Sequence, residues 1–258
     1  MDRTKASPST FTPGSVAMVG LRLADPLIQF TLLRDGHAAN LMQSLLRMPQ
    51  SYALAPAVLA VPGISRFSIG GLNEVASAVV AMYGIAALRH AYWALFTRQY
   101  DFPLSGGIFV GVYNGIMNAL TTGLLVYCTS QAPFTSQTLG WKQYLGIALF
   151  AAGIGLEVVP EETRKSFKSK PENKGKLDDT GAWGVVRHVN YLGYTLWRTG
   201  VMLATGSVGA AVAQAAFHAY FFISTSIPDI DSQMTKKYGP QWEGYKRKVP
   251  YAFIPGVY

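Results

Sequence analysis

Between Gly181 and Gly200 the chain reads GAWGVVRHVNYLGYTLWRTG. On a helix, Arg187, Tyr191, Tyr194 and Arg198 recur at spacings of four, three and four, with Asn190 beside them, and share one face. Two guanidiniums, two phenols and an amide on one stripe suit the wall of a polar cavity. Each ionisable group facing lipid at mid-helix costs roughly 2.5–3.5 kcal/mol. Guanidiniums match phosphate or carboxylate through paired hydrogen bonds. Lys168, Lys170, Lys174 and Lys176 just ahead of the stripe, and the basic tail after it, add positive field at the same membrane face. An anionic, phosphate-bearing cofactor entering from the cytoplasm fits this, with a lipophilic small-molecule substrate arriving from the bilayer. The competing reading is structural: Arg187 and Arg198 snorkel to headgroups or pair with Glu157, Glu74 or Asp231, and the lysines are ordinary positive-inside charge. His218 and Glu74 stand isolated, and a structural role suits His218 better. The chain has no glycine-rich dinucleotide fingerprint, P-loop, His-Glu metal motif or Gly-x-Ser-x-Gly elbow, which disfavours a Rossmann-type site. The single cysteine, Cys128, excludes an intrachain disulfide and a Cys-based zinc site.

The elements that must carry these groups are apolar helices. Of 258 residues, 50% are hydrophobic and 14% charged, against about 25% charged in a soluble domain. The reading is an all-α polytopic membrane bundle of about six spans, with a C-terminal helical hairpin and a cytoplasmic tail. Residues 1–12 read as a mobile tail without a cleavable signal, and 13–258 as one transmembrane domain. Residues 13–33 carry Arg22 and Asp25 and are either a first span or an interfacial helix. Residues 34–50 read as a short amphipathic connection, and 51–63 as too short and Pro-rich for a span. Spans are expected at 69–88, 102–128, 140–159, 183–205 and 207–228. The basic loop 161–176 and the tail from Asp229 place themselves on the cytoplasmic side, with Arg89 and Arg98, and the uncharged 130–138 stretch on the far side. The net charge of +8 is carried next to apolar runs, so it points to membrane flanks and not to nucleic acid.

Two separated motifs in this order carry a resemblance: KPENKGKLDDTGAWGVVRHVNYLGY, and after the hairpin KKYGPQWEGYKRKVPYAFIPGVY. Over residues 160–258 the chain resembles the C-terminal catalytic half of the steroid 5-alpha-reductase-like integral membrane proteins. That superfamily includes the sterol delta-14 and delta-7 reductases and, more distantly, the isoprenylcysteine carboxyl methyltransferases. The resemblance extends weakly to LRHAYWALFTRQYDFPLSGG near residue 89. It implies an endoplasmic-reticulum enzyme of lipid metabolism that binds NADPH at the cytoplasmic side. Such an enzyme transfers hydride to an activated double bond of a steroid- or terpenoid-like substrate. Carried over by position, Arg187, His188, Asn190 and Tyr191 fall on the cofactor-contacting stretch and Trp183 on its preceding aromatic. Glu162 falls near an acidic cofactor contact and Arg98 on the arginine of the earlier segment. Lys168 and Arg198 are further cofactor candidates. Glu74, Tyr194 and Asp231 are the candidates for acid–base work.

The departures from the family pattern keep other chemistries open. Val189 stands where the family has Pro, Tyr194 where it has an acid, and Ile230-Asp231 where the methyltransferases have paired glutamates. The alternatives are a cofactor-free isomerase or cyclase of a lipophilic substrate, an S-adenosylmethionine-dependent lipid or prenyl-carboxyl methyltransferase, and a non-enzymatic membrane scaffold.

Overall fold

A computed structural model describes residues 11–47, 58–98, 100–131 and 138–258. Among these the chain is helical, with one isolated antiparallel bridge between Leu59 and Leu72. The bulk of the expected tail (1–10), the end of the amphipathic connection (48–50), the first part of the Pro-rich stretch (51–57), residue 99 and most of the uncharged loop (132–137) lie outside the described residues.

Helix α1, Pro13–Arg34, starts on a Thr12 cap whose hydroxyl accepts from the Ser15 amide while the Ser15 hydroxyl accepts from the Thr12 amide. Its 22 residues reach about 33 Å, enough to cross a bilayer. Its buried stripe is polar (Ser15, Arg22, Asp25, Gln29), whereas Leu23, Leu27 and Ile28 face outward. That inverts the amphipathic pattern of a soluble helix and resolves the choice between span and interfacial helix in favour of a span. The short α2, His37–Leu45, follows. Helix α3, Glu74–Tyr92, is capped by Asn73 and runs on through a π-helical turn, Trp93–Thr97. Helix α4 is Leu104–Gln131 and α5 is Trp141–Ser169. Helix α6, Val189–Ala204, is the shortest crossing at 16 residues and one of the most buried. Ser207 caps α7, Val208–Phe221, which continues through a second π-helical turn, Phe222–Ser226, into α8, Ile227–Tyr238. A break at Gly239, at φ +51°, separates α9, Pro240–Lys248.

The long helices, with α3 and α7 counted through their π turns, are each apolar enough to span. Among the described residues these are five, and the 16-residue α6 packs antiparallel against α5. One end of the bundle, the basic end, gathers the start of α1, the 98–103 segment, the end of α5, the 170–188 loop and the tail. At the opposite end Lys142 on α5 donates to the Gly206 carbonyl between α6 and α7. The expected alternation of spans and the C-terminal hairpin are therefore present. The hairpin's first arm differs: residues 183–188 are not α-helical, and the helix begins only at Val189.

Helices α5 and α6 touch backbone to backbone. Gly146 and Gly153 on α5 face Gly200 and Gly193 on α6. A Cβ on Gly146 would lie 2.6 Å from the Gly200 carbonyl, and one on Gly193 would lie 2.7 Å from the Gly153 carbonyl. This small-residue seam brings the helices together where no hydrophobic force acts between lipid-bathed surfaces.

Candidate active site

At the basic end, α3, α5, α8, α9 and the 177–191 segment surround an open cleft of about 990 Å³, mouth included. It takes in Arg98, Lys168, Trp183, Arg187, His188, Asn190 and Tyr191. The sequence places all seven as cofactor candidates, and the fold brings them to one wall. Arg164 and Lys237 raise its cationic side chains to five, against the carboxylates of Glu161 and Asp178. Arg164 pairs with Glu161 and lies 4.8 Å over the Trp183 ring. Lys168 Nζ donates to the Tyr238 hydroxyl at 3.2 Å and to the Lys176 carbonyl, neither of them charged. Trp183 is held by Nε1 donating to the Pro160 carbonyl at 2.9 Å, at the proline inside α5. Its own carbonyl accepts from Tyr245 at 2.7 Å. Burial raises the Tyr245 phenol above the usual tyrosine range.

Arg187 does not belong to the helical stripe. It precedes α6, where its amide and that of His188 donate to Tyr251 and Ala252 carbonyls, each at 3.0 Å. Its Nη1 binds the carbonyls of Val249 at 2.6 Å and Pro250 at 2.8 Å. The guanidinium thus clips the C-terminal segment against the cleft, and its Nε is buried without a hydrogen-bond partner.

A second chamber of about 1040 Å³, mouth included, lies among α1, α3, α4, α5, α6 and α7. Trp93, Tyr100, Glu161, Arg164, Asn190 and Tyr191 line both spaces, which adjoin there. The inner walls are largely aromatic: Phe102, Phe109, Tyr113, Phe221 and Phe222. Tyr191 stacks on Phe222 with centroids 4.4 Å apart. The polar groups in this chamber are His90, Asn114, Tyr194, His218 and the Arg89–Glu157 ion pair at 3.2 Å. The Tyr113 hydroxyl meets His218 Nε2 at 2.9 Å. His218 Nδ1 lies 3.0 Å from the Gln214 carbonyl.

Four expected site residues lie elsewhere. Arg198 lines neither space. It is 3% exposed, and donates through Nη1 to Asn118 Oδ1 at 2.6 Å, through Nη2 to Asn114 Oδ1, and through Nε to the Tyr194 hydroxyl at 3.2 Å. Asn118 Nδ2 in turn donates to Asp25 at 2.5 Å. Asp25 also accepts from Arg22 at 3.1 Å and Gln29 at 3.0 Å. Arg198 is thus a cross-brace of α6, α4 and α1 and neither snorkels nor meets a cofactor. Glu74 sits at the opposite end of the bundle, where it accepts from the amides of Arg66 at 2.6 Å and Leu139 at 3.1 Å. An acid clamped there is far from any substrate in either space. Asp231 ties α8 to α9, accepting from Trp242 Nε1 at 2.7 Å and Lys246 at 3.4 Å. Ile230 and Met234 present the cleft-facing side of α8. Glu162 accepts from Thr97 at 2.6 Å beside the cleft, while its neighbour Glu161 lines both spaces. Of the three acid–base candidates, the fold puts Tyr194 alone in the inner chamber.

Sequence reasoning missed Glu161, Arg164 and Glu157. Their signal was readable: Glu157, Glu161, Arg164 and Lys168 recur at four, three and four along α5, the same spacing that singled out α6.

Comparison with known proteins agrees with this geometry. Residues 108–249 match the family described as "Protein of unknown function (DUF1295)". The chain belongs to this steroid 5-alpha-reductase-like family. A relative named "Probable O-methyltransferase ustE", from Ustilaginoidea virens, is 34% identical over 178 residues, 66% of this chain and 62% of that protein. A "Delta(14)-sterol reductase" of Neurospora crassa is 26% identical over 156 residues, 43% of this chain and 32% of the relative. A "Probable 7-dehydrocholesterol reductase" of Acanthamoeba polyphaga mimivirus is 36% identical over 84 residues, 32% of this chain and 19% of the relative. The chain therefore spans less than two thirds of the length of these relatives. It is an integral membrane protein with an all-α bundle, as its family and helices show.

Proposed function

We propose that this protein is a membrane reductase that uses NADPH to reduce an activated carbon–carbon double bond of a lipophilic, steroid- or terpenoid-like substrate. The observation that carries the reading is a pair of adjoining spaces, a cationic cleft at the basic end and an aromatic chamber among the helices. In this reading their shared lining at Trp93, Asn190 and Tyr191 is the passage from one to the other. A water-borne polyanion and a bilayer-borne substrate could meet there without sharing a route. Sterol reductases among the relatives support the same reading.

The cleft's donors fit a phosphate-bearing nucleotide. Lys168 and Arg187 bring cationic side chains to the phosphates, and Tyr238 gives a flat surface for a base. NADPH would supply hydride to the substrate in the passage. Asn190 and Tyr191 orient groups at that passage, and Tyr194 lines the inner chamber with its hydroxyl accepting from Arg198 and donating to Asn114 Oδ1 at 3.3 Å. Positive-inside charge supports a cytoplasmic basic end, and the family resemblance favours the endoplasmic reticulum.

A second reading, an S-adenosylmethionine-dependent O-methyltransferase, is favoured by the name of the Ustilaginoidea virens relative. Titration of the purified, detergent-solubilised protein separates them. Saturable NADPH binding, followed by nicotinamide fluorescence, is expected to weaken about tenfold in Lys168→Met, the loss of one charge-assisted phosphate contact. Binding of labelled S-adenosylmethionine with no NADPH binding would replace the reductase by the methyltransferase. Product formed with neither cofactor would select the isomerase or cyclase.

A further inference from the structure

His90 stands on α3 at the wall of the inner chamber and is 5% exposed. Arg22, on α1, is completely buried and donates through Nε to His90 Nδ1 at 3.0 Å. A guanidinium is a donor only, with no acceptor atom. Its approach therefore fixes Nδ1 as the bare, accepting nitrogen, and the ring proton must sit on Nε2. The ring is also held in place. It lies 6.5 Å from the Tyr194 ring at an interplanar angle of 19°, and edge-on to Trp197 at 5.9 Å. Among the described residues no protein acceptor takes a hydrogen bond from Nε2. A neutral imidazole in a preset tautomer and orientation thus carries an N–H with no protein acceptor in a chamber of aromatic walls.

We infer that His90 is a catalytic hydrogen-bond donor to a substrate carbonyl oxygen, and that Arg22 is the positioning residue that sets its tautomer. This deepens the reductase reading and rests on it for the reaction. The substrate class is an α,β-unsaturated carbonyl compound whose oxygen reaches the His90 side of the chamber. In its reduction a hydride, two electrons and one proton, passes from the reduced nicotinamide to the β-carbon. The carbon–carbon π pair shifts toward the carbonyl, and negative charge grows on the oxygen facing Nε2–H. A proton from water then adds to the α-carbon, leaving hydroxide that the solvent neutralises and restoring the carbonyl. The nicotinamide ends oxidised and the carbon–carbon bond saturated. A fixed donor aimed at the oxygen stabilises the charge as it develops and needs no reorganisation. A neutral imidazole suffices for this work, as a donor whose proton stays in place.

The test is binding spectroscopy and needs no turnover. A bicyclic enone labelled with ¹³C at the carbonyl is added to the purified protein without nucleotide, and the carbonyl stretch is read by infrared difference. In the wild type the stretch is expected at lower frequency than in detergent alone. The shift is expected to vanish in His90→Phe, with affinity falling about three- to tenfold, and to persist in His90→Gln, whose amide N–H replaces Nε2–H. Arg22→Met, which frees the tautomer, is expected to reduce the shift while His90 remains. Thermal unfolding identifies any variant that has lost its fold. An unshifted stretch in the wild type, absence of enone binding, or a shift unchanged in a folded His90→Phe would overturn the inference. Nucleotide titration reports on the reductase reading separately: a shifted enone without NADPH binding spares His90 and removes the reductase, and the converse removes His90 alone.

Discussion

Replacing Asp25 by Asn tests how the bundle's interior tolerates charge. Asp25 sits between two guanidiniums: Arg22 contacts it directly, and Arg198 reaches it through the Asn118 amide. The wild-type cluster holds two cations and one carboxylate, and Asp25→Asn leaves both cations with none. Its size is nearly unchanged, so the effect is electrostatic. Removing one partner of a buried ion pair costs about 3–5 kcal/mol. Side-chain hydrogen bonds inside membrane proteins average about 0.6 kcal/mol, because the unfolded chain also finds partners in the membrane. The Asn side chain can still accept from Arg22 or Gln29, so the charge term decides, and a loss of about 3 kcal/mol follows. At about 2–4 °C per kcal/mol for a chain of this size, the unfolding midpoint falls by about 10 °C. The assay is thermal unfolding in detergent, followed by tryptophan fluorescence. The diagnostic variant is Asp25→Asn with Arg198→Met, which returns the cluster to its original net charge and is expected to melt above Asp25→Asn alone. A single variant within about 2 °C of wild type, or a double variant that merely sums the two losses, would refute the reasoning.

The remaining predictions concern the scaffold and the corrected residues. Gly153→Ala should destabilise the fold by about 1–3 kcal/mol, since its Cβ would press on the Gly193 carbonyl and Trp197 amide, while Gly155→Ala, with open space around it, should not; unfolding midpoints compare them. Glu74→Gln should cost about 1–3 kcal/mol, because Gln has one acceptor oxygen for the two amides and one of them loses its acceptor, and should leave NADPH affinity unchanged in the same titration used for Lys168→Met. Tyr245→Phe should cost about 1 kcal/mol through its bond to the Trp183 carbonyl. Burial raises the Tyr245 pKa, so its contribution is complete below about pH 10, where the unfolded phenol ionises, and is lost as pH rises through the folded value. The Phe variant should therefore show a shallower alkaline decline in unfolding midpoint.

The spans and their alternation were legible because apolar length and lysine placement are local properties. The cleft was legible for the same reason, since Trp183 to Tyr191 lie within one segment. What failed was inference across distance. The spacing of Arg187, Tyr191, Tyr194 and Arg198 presumed a helix from residue 183, but Arg187 falls before its start and serves the tail, while Arg198 turns to α4. Glu74 looked like an isolated acid in a span, yet Asn73-Glu74 is an ordinary helix opening, a capping side chain followed by an acid in the first turn. The Arg22–His90 contact joins residues 68 apart in sequence and leaves no periodic trace. A close acidic neighbour, Glu161 for Glu162, shows how one residue along a helix turns a side chain by about 100°.

The inward polar stripe of α1 has a consequence for how the chain is made. This helix leaves the ribosome before α4 and α6, yet Asp25 finds Asn118 93 residues later, and Arg198 completes the cluster only when α6 arrives. Alone in lipid, α1 would carry an arginine and an aspartate with no cross-helix support. A helix made before its partners is thus satisfied only after them. Its lasting residence in the membrane is conferred by helices not yet translated when it emerges.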